Sequence, residues 1–87
     1  MKFSDAIKNA MNVRSMRFTD VVEATGLASN TVGNRLRGDR NLSLDKVDEM
    51  LKAVRYKMVI IPEEEEIKDT WFEVDSRKYA DEKGEDL

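Results

Sequence analysis

Residues 29–34 read SNTVGN and set Ser29, Asn30, Thr31 and Asn34 close together, with Gly33 among them. These are short side chains that both donate and accept hydrogen bonds. Their chemistry is recognition of polar edges rather than bond-making. An Asn amide pairs bidentately with adenine in a DNA major groove. Gly33 has no Cβ and leaves room for another surface to come close. Arg37, Arg40 and Asn41 follow and suit phosphate oxygens. Arg35 suits either a phosphate or a base edge. Covalent chemistry has little to work with. The 87 residues contain no His and no Cys. That removes the commonest general base, thiolate metal ligands and disulfides. We read no catalytic residue, no metal site and no cofactor. Glu63, Glu64, Glu65 and Glu66 are consecutive but lack the turn residues of a cation-binding loop, and read as a solvated charge run.

Charge is divided along the chain. Residues 1–61 carry eleven Lys/Arg against seven Asp/Glu, a balance of +4; residues 62–87 carry four against eleven, a balance of −7. A basic body with an acidic tail points the body toward a nucleic-acid partner. Hydrophobic content of 40% beside 38% charged residues fits a small soluble globular domain. No apolar run has membrane-spanning length and no signal peptide is visible, so a cytoplasmic protein is expected.

Those recognition residues need elements to hold them. Phe3, Ala6, Ile7, Ala10 and Met11 recur at helical spacing and predict a helix over 4–13, with Ser4 as N-cap. Phe18, Val21, Val22 and Thr25 predict the buried face of a helix over 18–25, ended by Gly26. A third helix is expected over 29–37, with Ser29 as N-cap and Leu27, Val32 and Leu36 inward; Gly38 terminates it. Ser43 caps a fourth helix whose core stripe is Leu44, Val47, Met50, Leu51 and Val54. Asp45 stands in its first turn, and Leu42 is placed to staple against Val47. Met11, Met16, Met50 and Met58 are expected as core filler. "YKMVII" (56–61) reads as a strand with Tyr56, Met58 and Ile60 on one face, stopped by Pro62. Residues 70–75 read as a second strand with Phe72 and Val74 on one face. A competing reading makes 62–78 a helix, with Ile67, Trp71 and Val74 at helical spacing. Residues from about 76 onward are expected to be mobile.

The stretch "VVEATGLASNTV" resembles the Cro/C1-type (phage repressor-like, XRE-like) helix-turn-helix family. Val22, Gly26 and Val32 fall at that family's spacing of a small residue, a glycine and a Val or Ile. Thr25-Gly26-Leu27 and the ending "RLRGDRN" also match, and the resemblance covers about residues 4–55. It implies a mainly α, four-to-five-helix lambda-repressor-like domain. Here that domain carries a short C-terminal β-strand or β-hairpin and a mobile acidic tail. Residues 1–55 would bind DNA, 56–75 would dimerise and 76–87 would form the tail. The resemblance also places Arg17 where the family contacts the DNA backbone. Three positions depart from the pattern. Phe18 stands where Gln is frequent, Arg17 where a Thr cap is usual, and Val22 where Ala is usual.

Taken together, the expected activity is sequence-specific double-stranded DNA binding by a homodimeric repressor of phage or mobile-element origin. The reading surface is Ser29, Asn30, Thr31, Gly33 and Asn34, in a helix over 29–37. Arg17, Arg35, Arg37, Arg40 and Asn41 flank it. Tyr56, Met58, Ile60, Trp71 and Phe72 are the expected dimer residues, and a palindromic operator is the expected partner. Two alternatives stand beside this one. One is a DNA-binding antitoxin of a toxin–antitoxin pair. The other is an adaptor that holds a protein partner through residues 62–87. No enzymatic or membrane role is expected.

Overall fold

The computed structural model describes residues 1–38 and 42–75. Among these residues four helices form in chain order: α1 (Phe3–Val13), α2 (Phe18–Thr25), α3 (Ser29–Leu36) and α4 (Leu44–Ala53). The fold is mainly helical. No helix among the described residues is long and apolar enough to cross a membrane.

The core follows from the apolar periodicity. Ile7 and Ala10 of α1, Val21 of α2, Val32 and Leu36 of α3, and Met50, Ala53 and Val54 from α4 and its cap form one buried cluster. α2 packs on α4 and on α3, and α1 packs on α3. Full burial of a side chain such as Ile7, Val32 or Met50 contributes roughly 1.5–3 kcal/mol relative to leaving it exposed. Phe3, Met11, Met16, Val22, Leu27, Leu51, Tyr56 and Phe72 pack around the cluster.

Each end has a local cause. Ser43 caps α4, its hydroxyl accepting from the Lys46 N–H at 3.3 Å. The α2 start uses a different device: the Asp20 carboxylate accepts from the Arg17 N–H at 2.7 Å. That bond holds the Asp20 carboxyl below the usual carboxylate range, helped by the Arg17 charge. α1 and α4 end alike. Met16 N–H donates to the Met11 carbonyl and Tyr56 N–H to the Leu51 carbonyl, with Ser15 and Arg55 left-handed at φ 54° and 60°. This is the Schellman arrangement with a non-glycine at its left-handed position. Arg14 then ties the two ends, its guanidinium donating to the Arg55 carbonyl at 2.9 Å and lying 5.3 Å from the Tyr56 ring centre.

Several expectations need correction. Ser4 and Ser29 cap nothing; the N-cap positions are Lys2 and Ala28, and Ser4 is buried in the first turn of α1. Phe18, expected inside, is 39% exposed, because at the first position of α2 it projects past the core toward α3. Leu44 is 74% exposed, at the first position of α4, facing an open groove between α1, α4 and the C-terminal segment. Met58 is 62% exposed rather than core filler.

Beyond Arg55 no β-strand forms among the described residues, and neither does a helix over 62–75. A strand needs a ladder partner, and the described residues supply none to residues 57–61. Instead the segment runs out, turns at Pro62 (Glu65 N–H to the Pro62 carbonyl, 3.1 Å), and turns again where Trp71 N–H bonds the Lys68 carbonyl. It returns with Phe72 stacked on Tyr56, ring centres 6.1 Å apart, while the Tyr56 hydroxyl donates to the Thr70 carbonyl at 2.7 Å. Its last described residues meet the start of the chain. The Met1 ammonium donates to the Glu73 carbonyl and Asp75 N–H donates to the Met1 carbonyl. Those two bonds have the pattern of a parallel bridge between Met1 and Val74. The expected tail over 76–87 lies outside the described residues.

Candidate functional site

The turn between α2 and α3 is built by Thr25, Gly26 and Leu27. The Thr25 hydroxyl donates to the carbonyls of Val21 and Val22 and accepts from the Leu27 N–H. Gly26 takes φ 71°, a conformation that costs an L-residue roughly 1–2 kcal/mol and glycine nothing. This turn sets the direction in which α3 leaves.

α3 is anchored by Val32 and Leu36, both buried. With 3.6 residues per turn, the side opposite Val32 carries Asn30, Asn34 and Arg37, with Thr31 and Gly33 on its flanks. Ser29, Asn30, Asn34 and Arg37 are exposed, and Thr31 and Gly33 half-exposed. The Arg37 guanidinium donates to the Asn34 side-chain carbonyl. Its side chain folds back along Gly33: a Cβ built at Gly33 would stand 3.5 Å from Arg37 Nη1 and 3.9 Å from the Phe18 ring. The start of α2 and the end of α3 therefore form one surface. Arg17 precedes Phe18 in the chain. Its side chain is 83% exposed and only loosely held, 3.6 Å from Asp20.

Arg35 is separated from this group. It is buried, and its guanidinium donates to the Glu49 carboxylate on α4 at 2.7 Å. The reason is its register: position 35 lies three residues after Val32, on the inward side of α3. It is a strut between α3 and α4. Arg40 and Asn41 lie outside the described residues.

Two contributors escaped the sequence reading. Phe18 joins the exposed surface, a role signalled only by its place at the first position of a helix. Glu49 holds Arg35, and no local pattern signals a partner fourteen residues away. No Asp or Glu occurs between Glu23 and Asp39; within that interval Arg37 is exposed, while Arg35 is paired with Glu49.

The expected dimer residues divide into two groups. Tyr56 and Phe72 are used within the chain, stacked on one another beside the core. Met58 and Ile60 are exposed, Ile60 fully, and Trp71 is exposed with the Lys68 ammonium 5.1 Å from its ring centre. Val59 and Ile61 are exposed as well.

Comparison of the chain with protein-family models, with curated proteins and with solved structures returned no match.

Proposed function

We propose that this chain is a sequence-specific double-stranded DNA-binding regulator, acting as a homodimeric repressor through a helix-turn-helix made by α2 and α3. The observation that carries the reading is the outer side of α3. Asn30, Asn34 and Arg37 stand together there, in a stretch of chain free of carboxylates. In this reading α3 enters the major groove with Asn30 and Asn34 on base edges and Ser29 and Thr31 beside them. Gly33 permits close approach. Arg17 and Arg37 neutralise phosphates, with Arg40 and Asn41 continuing the contact. Arg35 acts indirectly, by holding α3 against α4. The exposed residues 58–61 supply the dimer contact, which sets the spacing of two half-sites.

The test is selection of bound duplexes from a random pool, for the wild type and for Asn30→Ala/Asn34→Ala. Both Asn side chains lie outside the core, so the fold should persist. The wild type should enrich a palindromic motif. The double variant should lose the motif and keep a weaker, salt-sensitive affinity from its arginines. A wild type that enriches nothing at low salt, or a double variant with an unchanged motif, removes the proposal.

The exposed side chains of Ile67 and Trp71 favour a second reading, an antitoxin whose C-terminal segment also holds a protein. Co-purification of one specific protein that is lost with Trp71→Ala would select it.

A further inference from the structure

The apolar residues 58–61 are exposed, and the backbone of 57–61 makes no hydrogen bond among the described residues. An unpaired apolar edge of this kind is a template for another strand. We infer that its occupant is the same segment of a second copy, paired antiparallel about a dyad through Ile60. The inference rests on the dimer in the function proposed above, and it requires no DNA.

Symmetry limits the registers. A two-fold axis that exchanges antiparallel strands stands perpendicular to their sheet, so some residue must face its own copy. The four apolar positions are the candidates. A dyad at Met58 sets Lys57 against Val59 and requires Tyr56 and Arg55, which close the end of α4, to face Ile60 and Ile61. One at Val59 sets the Lys57 ammonium against Ile61. One at Ile61 sets Val59 against Glu63 and Met58 against Glu64. Only the dyad at Ile60 pairs Lys57 with Glu63, Met58 with Pro62, Val59 with Ile61 and Ile60 with itself. Opposite charges then close both ends of an apolar ladder, the arrangement cross-strand energetics favour. Pro62 fits the same register. If Ile60 faces its copy as a non-hydrogen-bonded pair, Met58 and Pro62 do so too, because the pair type repeats every second residue. The missing N–H of Pro62 then costs nothing. Backbone pairing ends at Pro62, because the chain turns from Pro62 to Glu65; Glu63, at the mouth of that turn, meets Lys57 through its side chain alone.

The absence of native cysteine makes the register directly readable. Facing residues in a non-hydrogen-bonded antiparallel pair have Cα atoms about 4.5 Å apart, within the range a disulfide spans. Under mild oxidation the full chain with Ile60→Cys should form a covalent dimer at least roughly tenfold faster than Val59→Cys or Ile61→Cys alone. Val59→Cys mixed with Ile61→Cys should cross-link readily, since those positions face each other. Lys57→Glu should weaken the dimer in sedimentation, and Lys57→Glu with Glu63→Lys should restore it. Faster cross-linking of Val59→Cys or Ile61→Cys alone overturns the Ile60 register while leaving a dimer in place. A chain that sediments as a monomer, with no variant cross-linking, overturns the pairing altogether. DNA binding that fails while Ile60→Cys cross-links removes the regulator reading and leaves this one standing.

Discussion

Gly33 is where fold and proposed function pull apart. It lies inside α3, where glycine costs about 0.8–1.0 kcal/mol relative to alanine. The space beside it is not closed by backbone: an added Cβ would meet the end of Arg37 at ordinary contact distance. A methyl group is therefore tolerated by the folded chain. The same methyl would stand on the surface offered to a duplex and hold it away from α3. Gly33→Ala should raise stability by about 0.5–1 kcal/mol in urea denaturation. Specific DNA affinity, followed by fluorescence anisotropy, should fall roughly tenfold, as for the loss of one good base or phosphate contact. Unchanged affinity in a stabilised variant would show that α3 meets DNA elsewhere, or not at all. Arg35 gives the complementary lesson. Composition marks it as a cation for phosphates, yet the helical register turns it inward to Glu49. Periodicity from Val32 identifies the inward side, but a charged residue there becomes interpretable only once α4 supplies its partner.

At the scale of elements, what the sequence revealed was set by local physics. The four helices lie close to their expected bounds because apolar spacing, Ser43, Gly26 and the acidic first turns are local signals. Phe18 and Leu44 were misjudged for one reason: each is the first residue of its helix, where a stripe has no preceding turn to fix its direction. Residues 56–61 have strand composition but no strand, because pairing is non-local and no partner lies among the described residues. The capped ends carry two predictions. Ser15 and Arg55 occupy left-handed conformations that penalise an L-residue by roughly 1–2 kcal/mol. Glycine relieves that strain and gives back part of the gain through a freer unfolded chain. Ser15→Gly and Arg55→Gly should each stabilise by about 0.5–1 kcal/mol in chemical denaturation. The Arg55 carbonyl that binds Arg14 is backbone, so that tie survives. Asp20 sets a pH dependence. Its carboxyl is held low chiefly by the Arg17 N–H. A depressed folded pKa gives stability that is present above the unfolded value and lost as pH falls through the folded one. Asp20→Asn should therefore flatten the acid side of a stability–pH profile, where pH falls through and below the ordinary carboxylate value of 3.8. A profile as steep as the wild type's would mean that other carboxylates dominate there.

For the molecule as a whole, the C-terminal segment has two separable tasks. One is to complete the monomer: Phe72 covers the core beside Tyr56, and residues 73–75 bind the start of the chain. The other, as proposed, is to join two monomers through residues 57–63. Deleting everything after Pro62 would confound them, since it keeps most of the ladder but loses Phe72, which weakens the core that carries residues 57–62. Point changes distinguish them through mass action. Folding coupled to dimerisation makes Tm rise with protein concentration. Phe72→Ala, at a half-buried aromatic, should cost about 1–3 kcal/mol and lower Tm at every concentration without changing its slope. Ile60 is fully exposed in the single chain, so Ile60→Ser should alter monomer stability by no more than about 0.5 kcal/mol. It should instead abolish the concentration dependence, with Tm matching the wild type's at high dilution. Calorimetry across a hundredfold range of concentration, a change worth roughly 2.7 kcal/mol of association free energy, reads both slopes. If Ile60→Ser keeps the wild-type slope, the dimer forms through another surface. The open groove that Leu44 shares with α1 then becomes the place where the two copies meet.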